Sequence, residues 1–381
     1  MLIIRIYKYK LYNSKKNKNL HNQINIAGII YNHCIALHRR YYRLTGKHLN
    51  QYQLMKHITK LKKQPKYSYW NNVGSQAIQD IVQRIDKAYQ LFFRNLKTGI
   101  RTSPPSFKKV KKYKSLTLKQ AGWKLLDGNK IRIGNKTYKY SKSRELPETI
   151  KTVTVKRDSL RDFWICFSVQ EEINIPDRTG NIAVGFDFGL KTFLVGSDGA
   201  SYDSPLYYQQ EVNTLRKAQR KLSSKKKGSN NCNKAKMNVA RIHQRITNLR
   251  KDYFFKLAHE LTDKYDYICL EDLNIKAMQR LWGRKVSDLS HSSFINILKH
   301  VALIKGKEVI FIDRLYPSSK TCHVCGEVNH GLTLADRIWT CPTCKTTYDR
   351  DRNAAINILM EGASSIGLGS VSLAIKEAAS A

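Results

Sequence analysis

Ile182-Ala183-Val184-Gly185-Phe186-Asp187-Phe188-Gly189 decides the fold class of the C-terminal half. Ile182–Phe186 is a short apolar run that stops on a carboxylate, Asp187. Thr192–Val195 is a second run, and Ser197-Asp198-Gly199 after it has turn chemistry, so a hairpin is expected here. Helical patterns follow at about 206–223 and 233–264, divided by Ser223–Asn231. The second carries apolar residues at Ile242, Ile246, Leu249, Tyr253, Leu257 and Leu261, one face of a helix. Tyr267–Leu270 is another short apolar run, ending on Glu271. Phe294–Lys305 reads as helix and Glu308–Ile312 as strand. Strands alternating with helices from residue 181 onward predict an α/β domain. The last 20 residues, rich in Ala, Ser and Gly, are expected to fray.

Two of those strands end on acids, and a third acid waits near the C-terminus. Asp351 lies in Asp349-Arg350-Asp351-Arg352-Asn353-Ala354-Ala355, just before an expected helix at Ala354–Met360. A carboxylate abutting a buried strand is costly unless it is paired or ligates a metal. Singly, each acid has a structural explanation: Asp351 as a helix N-cap, Glu271 as a salt-bridged strand end. Together, Asp187, Glu271 and Asp351 can hold two Mg²⁺ (or Mn²⁺) ions ~3.5–4 Å apart. One ion would activate a water and the other would stabilise the leaving oxygen of a phosphodiester.

Between Glu271 and Asp351 lies Cys322-x-x-Cys325, and 15 residues further on Cys341-x-x-Cys344. This spacing falls within the zinc window. Each pair sets two thiolates on one tight turn, and two pairs complete a closed S₄ site. A structural Zn²⁺ is therefore expected at Cys322, Cys325, Cys341 and Cys344, with disulfides as the alternative. His323 and His330 lie nearby, but four cysteines leave them no ligand role. Cys34, Cys166, Cys232 and Cys269 stand singly and are expected to be core or inert thiols.

The N-terminal half is dominated by charge. The whole chain has 68 Lys and Arg against 29 Asp and Glu, a net charge of +39. Residues 1–120 hold 26 of those cations and only two acids, Asp80 and Asp86, together with 11 of the 21 Tyr. Basic residues interleaved with aromatics suit phosphate contacts and base stacking, so a nucleic-acid partner is expected. A hydrophobic content of 41% excludes wholesale disorder. No run of ~18 apolar residues is present, so no membrane partner is expected. Met1–Tyr12 reads as a strand rather than a signal peptide, and a reducing, cytoplasmic compartment fits.

Within that half, Leu2–Leu11 alternates like a strand, and residues from about Lys15 to Asn95 are helical. Val73, Ala77, Ile78, Ile81, Ile85, Ala88, Tyr89 and Phe92 form one apolar face. Pro104-Pro105 and the lysines at 108–114 close the block as a loop. Residues 116–172 read as β structure, for example Lys130–Ile133, Thr152–Lys156 and Asp162–Val169, with turns at Asp127-Gly128 and Arg157–Ser159. If the first strand pairs with these, the helical block is an insertion in a β domain. Periodicity alone leaves that pairing open.

The segments Gly185–Lys191, Leu270–Ile275, the cysteine cluster after Pro317–Thr321, and Asp349–Asn357 together resemble the TnpB (OrfB) family of bacterial insertion sequences, relatives of the type V CRISPR effectors. Phe186 and Phe188 stand where that family often has smaller aliphatics. The resemblance implies a RuvC-type, RNase H-like α/β domain at 181–381 with a zinc ribbon inserted at 316–348. It also implies a β-barrel wedge domain at 1–11 and 117–180, split by a helical recognition domain at 12–116. It implies a catalytic triad of Asp187, Glu271 and Asp351, Asp351 rather than Asp349 matching the family spacing. The implied activity is RNA-guided cutting of double-stranded target DNA beside a short flanking motif. The implied guide RNA comes from the transposon end, and the protein would sit at the bacterial nucleoid. A guide-independent RuvC-type nuclease or resolvase, a strand-joining transposase, and a catalytically silent RNA-bound regulator are the competing readings.

Overall fold

The structure, a computed structural model, describes residues 1–177, 180–189, 192–274, 288–333, 336–365 and 372–374, and 278, 280, 283 and 367 singly. Leu190, Lys191 and Ile275 of the quoted motifs lie outside the described residues. The chain divides into two compact units, Met1–Ile173 and Asn174–Ala381.

The first unit opens with β1 (Leu2–Lys10), which buries Tyr7 and Tyr9 on one face. Three helices follow: α1 (Asn17–Thr45), α2 (Gln51–Lys62) and α3 (Ser75–Lys97). Gly46, at φ 67°, ends α1 in the left-handed turn that glycine adopts without strain. Asn50 opens α2 with a reciprocal cap: its side chain accepts from the Gln53 amide, and the Gln53 side chain accepts from its own. α3 buries Ala77, Ile78, Ile81, Ile85 and Tyr89 as their spacing predicts, and Val82 with them.

The chain then returns to strand: β2 (Ser115–Leu118), β3 (Trp123–Leu126), β4 (Lys130–Ile133), β5 (Lys136–Lys139), β6 (Ile150–Arg157) and β7 (Phe163–Glu172). β1 pairs antiparallel with β7, from Leu2 opposite Glu172 to Lys10 opposite Trp164. One sheet runs β1-β7-β6-β2 and a second runs β3-β4-β5. The helices are thus inserted between β1 and β2, and Leu20, Ile24 and Ile81 share one core with Val153, Ile165 and Phe167.

The second unit has a sheet of β8 (Ile182–Asp187), β9 (Thr192–Gly196), β10 (Ser201–Asp203), β11 (Tyr267–Glu271) and β12 (Glu308–Ile312), in the order β10-β9-β8-β11-β12. β8 is antiparallel to β9 and parallel to β11, which is parallel to β12. Between these strands run α4 (Tyr207–Ser223), α5 (Asn230–Lys264) and α6 (His291–Ile304). The hairpin β13 (Ile338–Thr340) and β14 (Thr347–Asp349) leads into α7 (Arg350–Ser365).

Both faces of the sheet are covered, which is why its strands read as continuous apolar runs rather than alternating ones. Val184, Phe186, Ile268 and Leu270 pack against Leu257, Leu261, Phe294 and Leu298 of α5 and α6. Ala183, Tyr267 and Cys269 point the other way, onto Ile358 and Leu359 of α7. Successive strand residues alternate faces, so Asp187 and Glu271 belong to the α7 side.

Two expectations need correction. The helix expected at Ala354–Met360 begins at Arg350 and continues to Ser365, because the Asp349 carboxylate accepts the Arg352 amide at 3.0 Å and starts it earlier. Of the tail expected to fray, Ser372–Ala374 instead return to the sheet, while 366, 368–371 and 375–381 lie outside the described residues. Ser372–Leu373 (β15) pair in parallel with Ile182 and Ala183. The Ala374 amide donates to Ala183 O at 2.8 Å, and the buried Ser197 hydroxyl donates to Ala374 O at 2.7 Å. A two-residue strand has no periodicity to read. Among the described residues, no helix is long and apolar enough to cross a membrane.

Candidate functional site

Strand register and one glycine bring the three acids together. Leu270 is opposite Phe186 in the last recorded pair of β11 and β8, so Glu271 and Asp187 follow side by side at the strand ends. Gly185, two residues before Asp187, lets α7 lie directly on β8. A Cβ there would fall 2.2 Å from Ala355 O and 2.6 Å from Leu359 N. Asp351 is one helical turn before Ala355 and therefore projects from the same side of α7. All three acids line one cleft of about 560 Å³, with Lys320, Arg337 and Arg350 at its wall.

The electrostatics of this cleft are strained toward a cation. Burial pushes the Asp187 carboxyl up to about 7, and repulsion from Glu271 and Asp351 adds to it, while Arg350 works in the opposite sense. Glu271 is also raised, first by burial and then by Asp272. Asp351 is held by two guanidiniums, Arg337 at 2.8 Å and Arg350 at 3.1 Å. The structural explanations for the single acids fall elsewhere. The cap of α7 is Asp349. Asp272, not Glu271, pairs with Arg314 at 2.5 Å, and no ion pair reaches Glu271 among the described residues. Converging carboxylates with incomplete compensation suit a divalent cation, which would draw off the repulsion that raises Asp187.

Arg337 was not legible from sequence, since it lies 14 residues before Asp351 and meets it only through the β13–β14 hairpin. Arg350 sits inside the quoted motif, but nothing in the spacing marks its contact.

The four knuckle cysteines form the second candidate centre. Their sulfurs all lie within 4.8 Å of one another. Cys322 to Cys344 and Cys325 to Cys341 are each 3.6 Å. A tetrahedral zinc with Zn–S bonds of about 2.3 Å sets sulfurs about 3.8 Å apart, so the cluster fits one structural Zn²⁺. The alternative disulfides are not formed: all eight cysteines are free. Hydrogen bonds from Thr346 pull the Cys344 thiol down to about 5, toward the thiolate that zinc requires.

Two asparagines join this cluster to α7. The Asn353 side-chain amide donates to Thr321 O at 2.7 Å, and its carbonyl accepts the His323 amide at 3.2 Å. Asn357, one turn on, donates to Ser318 O at 2.8 Å and Thr321 O at 2.6 Å. Both are almost fully buried. His323 is thus no ligand but packs its ring 2.8 Å from Asn353 Oδ1. Asn353 and Asn357 entered the sequence reading only as motif letters; their role is to fasten the knuckle to the helix that carries Asp351. Of the single cysteines, Cys34, Cys232 and Cys269 are buried and Cys166 is half-buried.

Zinc removal should therefore be felt at the cleft. Cys341→Ser is expected to lower the zinc content from one ion per chain to near zero, measured by elemental analysis. It should also destabilise the protein by several kcal/mol, a scale set by structural zinc sites. Unchanged zinc content would contradict the assignment.

The carboxylate cleft, the S₄ knuckle and the mixed sheet are an arrangement that suits a metal-dependent α/β nuclease. The structure superposes on the protein of the Cas12f1–sgRNA–target DNA complex with a TM-score of 0.60 at 15% identity, covering 94% of this chain and 98% of that one, a likeness of fold. The OrfB_IS605 family model, described as "Probable transposase", matches residues 164–281, and the Cas12f1-like TNB domain matches 291–358. A Streptomyces pristinaespiralis protein named "Putative RNA-guided DNA endonuclease" is 29% identical over 375 residues, 96% of this chain and 91% of its own. An Escherichia coli K12 relative of the same description, InsQ, is 25% identical, over 89% of this chain and 87% of its own. The chain is thus similar to OrfB-type proteins over residues 164–281 and to the Cas12f1-like TNB domain over 291–358.

Proposed function

We propose that this protein is an RNA-guided DNA endonuclease of a transposable element, cutting double-stranded DNA beside a short flanking motif. The observation that carries the proposal is the convergence of Asp187, Glu271 and Asp351 on one cleft. In this reading the second unit is a RuvC-type, RNase H-like domain, residues 181–381, with its zinc ribbon at 316–348. Residues 1–11 and 117–180 are the wedge domain, and 12–116 the recognition domain. The guide is an RNA transcribed from the transposon end, and the protein acts at the nucleoid.

Mg²⁺ or Mn²⁺ held by the three carboxylates would activate the attacking water and stabilise the leaving oxygen. The residues of the chain do the rest. Asp187 and Glu271 are presented by rigid strand ends, so their carboxylates need little ordering when a cation arrives. Arg337 and Arg350 hold Asp351 on the cleft wall and bring positive charge to where a phosphodiester would lie. The basic, tyrosine-rich first 120 residues hold RNA and heteroduplex by backbone and shape, while base pairing reads the sequence. That block argues against a guide-independent resolvase, and the intact acids argue against a silent regulator.

The test is plasmid cleavage with RNA-loaded protein. DNA matching the RNA should be cut in Mg²⁺ and spared in EDTA, and unmatched DNA should be spared in both. Cutting of unmatched DNA at the same rate would overturn the guided reading.

Cation binding should also depend on pH. Asp187 must lose a proton that it holds up to about pH 7, against an ordinary 3.8. Apparent affinity for Mn²⁺ is therefore expected to tighten about tenfold from pH 6 to pH 8, measured calorimetrically. The same raised carboxyl makes a stabilising contribution at low pH that is lost as pH rises toward 7. Asp187→Asn should remove that loss, so the metal-free variant gains on the parent as pH rises. An affinity flat across this range would refute the assigned shift.

A further inference from the structure

Arg157 is a cation on the floor of a cleft with no anion to meet it. It closes β6, and its residue is only 8% exposed. Its guanidinium donates to three neutral acceptors: His21 Nδ1 at 3.2 Å, Asn25 Oδ1 at 3.0 Å and Tyr113 O at 2.9 Å. Five N–H donors are available to an arginine, so two remain. Among the described residues, no carboxylate pairs with it. The one acid in the cleft is Asp158, and both its oxygens are committed to its own turn. Oδ1 accepts the Leu160 and Asp162 amides, each at 2.9 Å, and Oδ2 accepts the Trp164 indole N–H at 2.9 Å. Around the mouth, in a cleft of about 590 Å³, stand Lys111, Lys112, Lys114 and Arg161, all exposed.

A buried charge without a counter-charge is expensive, and more cations at the rim make it more so. Folded proteins tolerate such an arrangement where a ligand completes it. The planar fork of arginine suits the paired oxygens of a phosphate. Acidic peptides carry single carboxylates on flexible stems and match a five-cation cleft less well than a repeating phosphate chain does.

We propose that the cleft floored by Arg157 is a phosphate-binding site for a nucleic-acid strand, with Arg157 gripping one backbone phosphate and Lys112 and Arg161 its neighbours. It lies wholly within the first unit and is separate from the carboxylate cleft. It rests on the nucleic-acid partner of the proposed function but not on the nuclease chemistry, because its readout is binding.

The experiment measures affinity and its salt dependence for full-length, nucleic-acid-free protein. The probes are a 20-nucleotide single-stranded RNA and, for RNA-loaded protein, a matching DNA duplex. Arg157→Gln should weaken one of them by about tenfold at moderate salt. It should also flatten the slope of log K against log salt by about 0.7 for a single-stranded contact. Lys112→Gln with Arg161→Gln, both exposed, should flatten it by about 1.4 without shifting the melting temperature. Loss confined to the RNA assigns the site to a guide phosphate, and loss confined to the duplex assigns it to the target. Unchanged affinity and slope for both probes would overturn the proposal. So would a defect in Arg157→Gln that tracks lost thermal stability while the exposed double variant binds normally. Failure of Asp187→Ala to affect cleavage would sink the nuclease reading and leave these outcomes untouched.

Discussion

Asp187→Ala is expected to reduce cutting of a matched target by about 10³-fold or more, a scale typical of losing one essential member of a catalytic unit. Binding of RNA and of the matched duplex should change by less than about threefold. The separation follows from position. Asp187 ends β8 on the α7 side, next to Glu271, and contributes charge to the cleft rather than packing to the core. Removing it should relieve repulsion that burial makes severe, so the metal-free variant should be no less stable than the parent. Single-turnover cleavage, filter binding and thermal melting check the three parts together. A variant that cuts normally would remove Asp187 from the chemistry. One that fails to bind as well would leave the cutting defect unassigned, and Asp187→Asn, closer in shape, would then decide.

Gly185→Val should be the most damaging single change in the second unit away from any acid. The contacts that its first added carbon would meet are backbone atoms, Ala355 O at 2.2 Å and Leu359 N at 2.6 Å, which have no rotamer to yield. Either α7 moves off β8 or the strand distorts. Overpacking ordinarily costs ~1–3 kcal/mol, and a clash with helix backbone belongs at or above the upper end. Lifting α7 also carries Asp351 away from Asp187, so cleavage should fall by more than the lost stability explains. Gly185→Ala, adding one carbon, should show the same sign with a smaller effect. Chemical denaturation and cleavage of the folded fraction distinguish the two effects. Wild-type stability in Gly185→Val would mean that α7 does not pack as described.

The same geometry explains what could be read in advance. A carboxylate that terminates a buried strand is rare enough to be noticed, and Asp187 and Glu271 stand out in sequence for that reason. Asp351 needed its neighbours, since an acid before a helix is ordinarily a cap; in the structure that role belongs to Asp349. The knuckle was legible because two Cys-x-x-Cys turns impose their own spacing. Gly185 was quoted as a letter in a motif, yet its function is the approach of a helix that begins 165 residues later. Asn353, Asn357 and Arg337 act across similar folds of the chain, where no local pattern records the partner. The pairing of β1 with β7 is of this kind too: strand character was visible at both ends, but not which strand meets which. Ser372 and Leu373 were not legible as a strand because composition describes tendency, while β8 still had an edge at Ile182 and Ala183 for two residues to fill.

The most direct measurement is of the nucleic acid that travels with the protein. The chain should be expressed together with its flanking locus and purified, its bound nucleic acid sequenced, and the complex offered plasmids that match that sequence, in Mg²⁺, beside randomised flanks. A defined RNA, with cutting confined to matched plasmids bearing one flanking motif and lost in Asp187→Ala, is the predicted result. Cutting by protein that carries no RNA, or a defined RNA with no cutting at any flank, would contradict it.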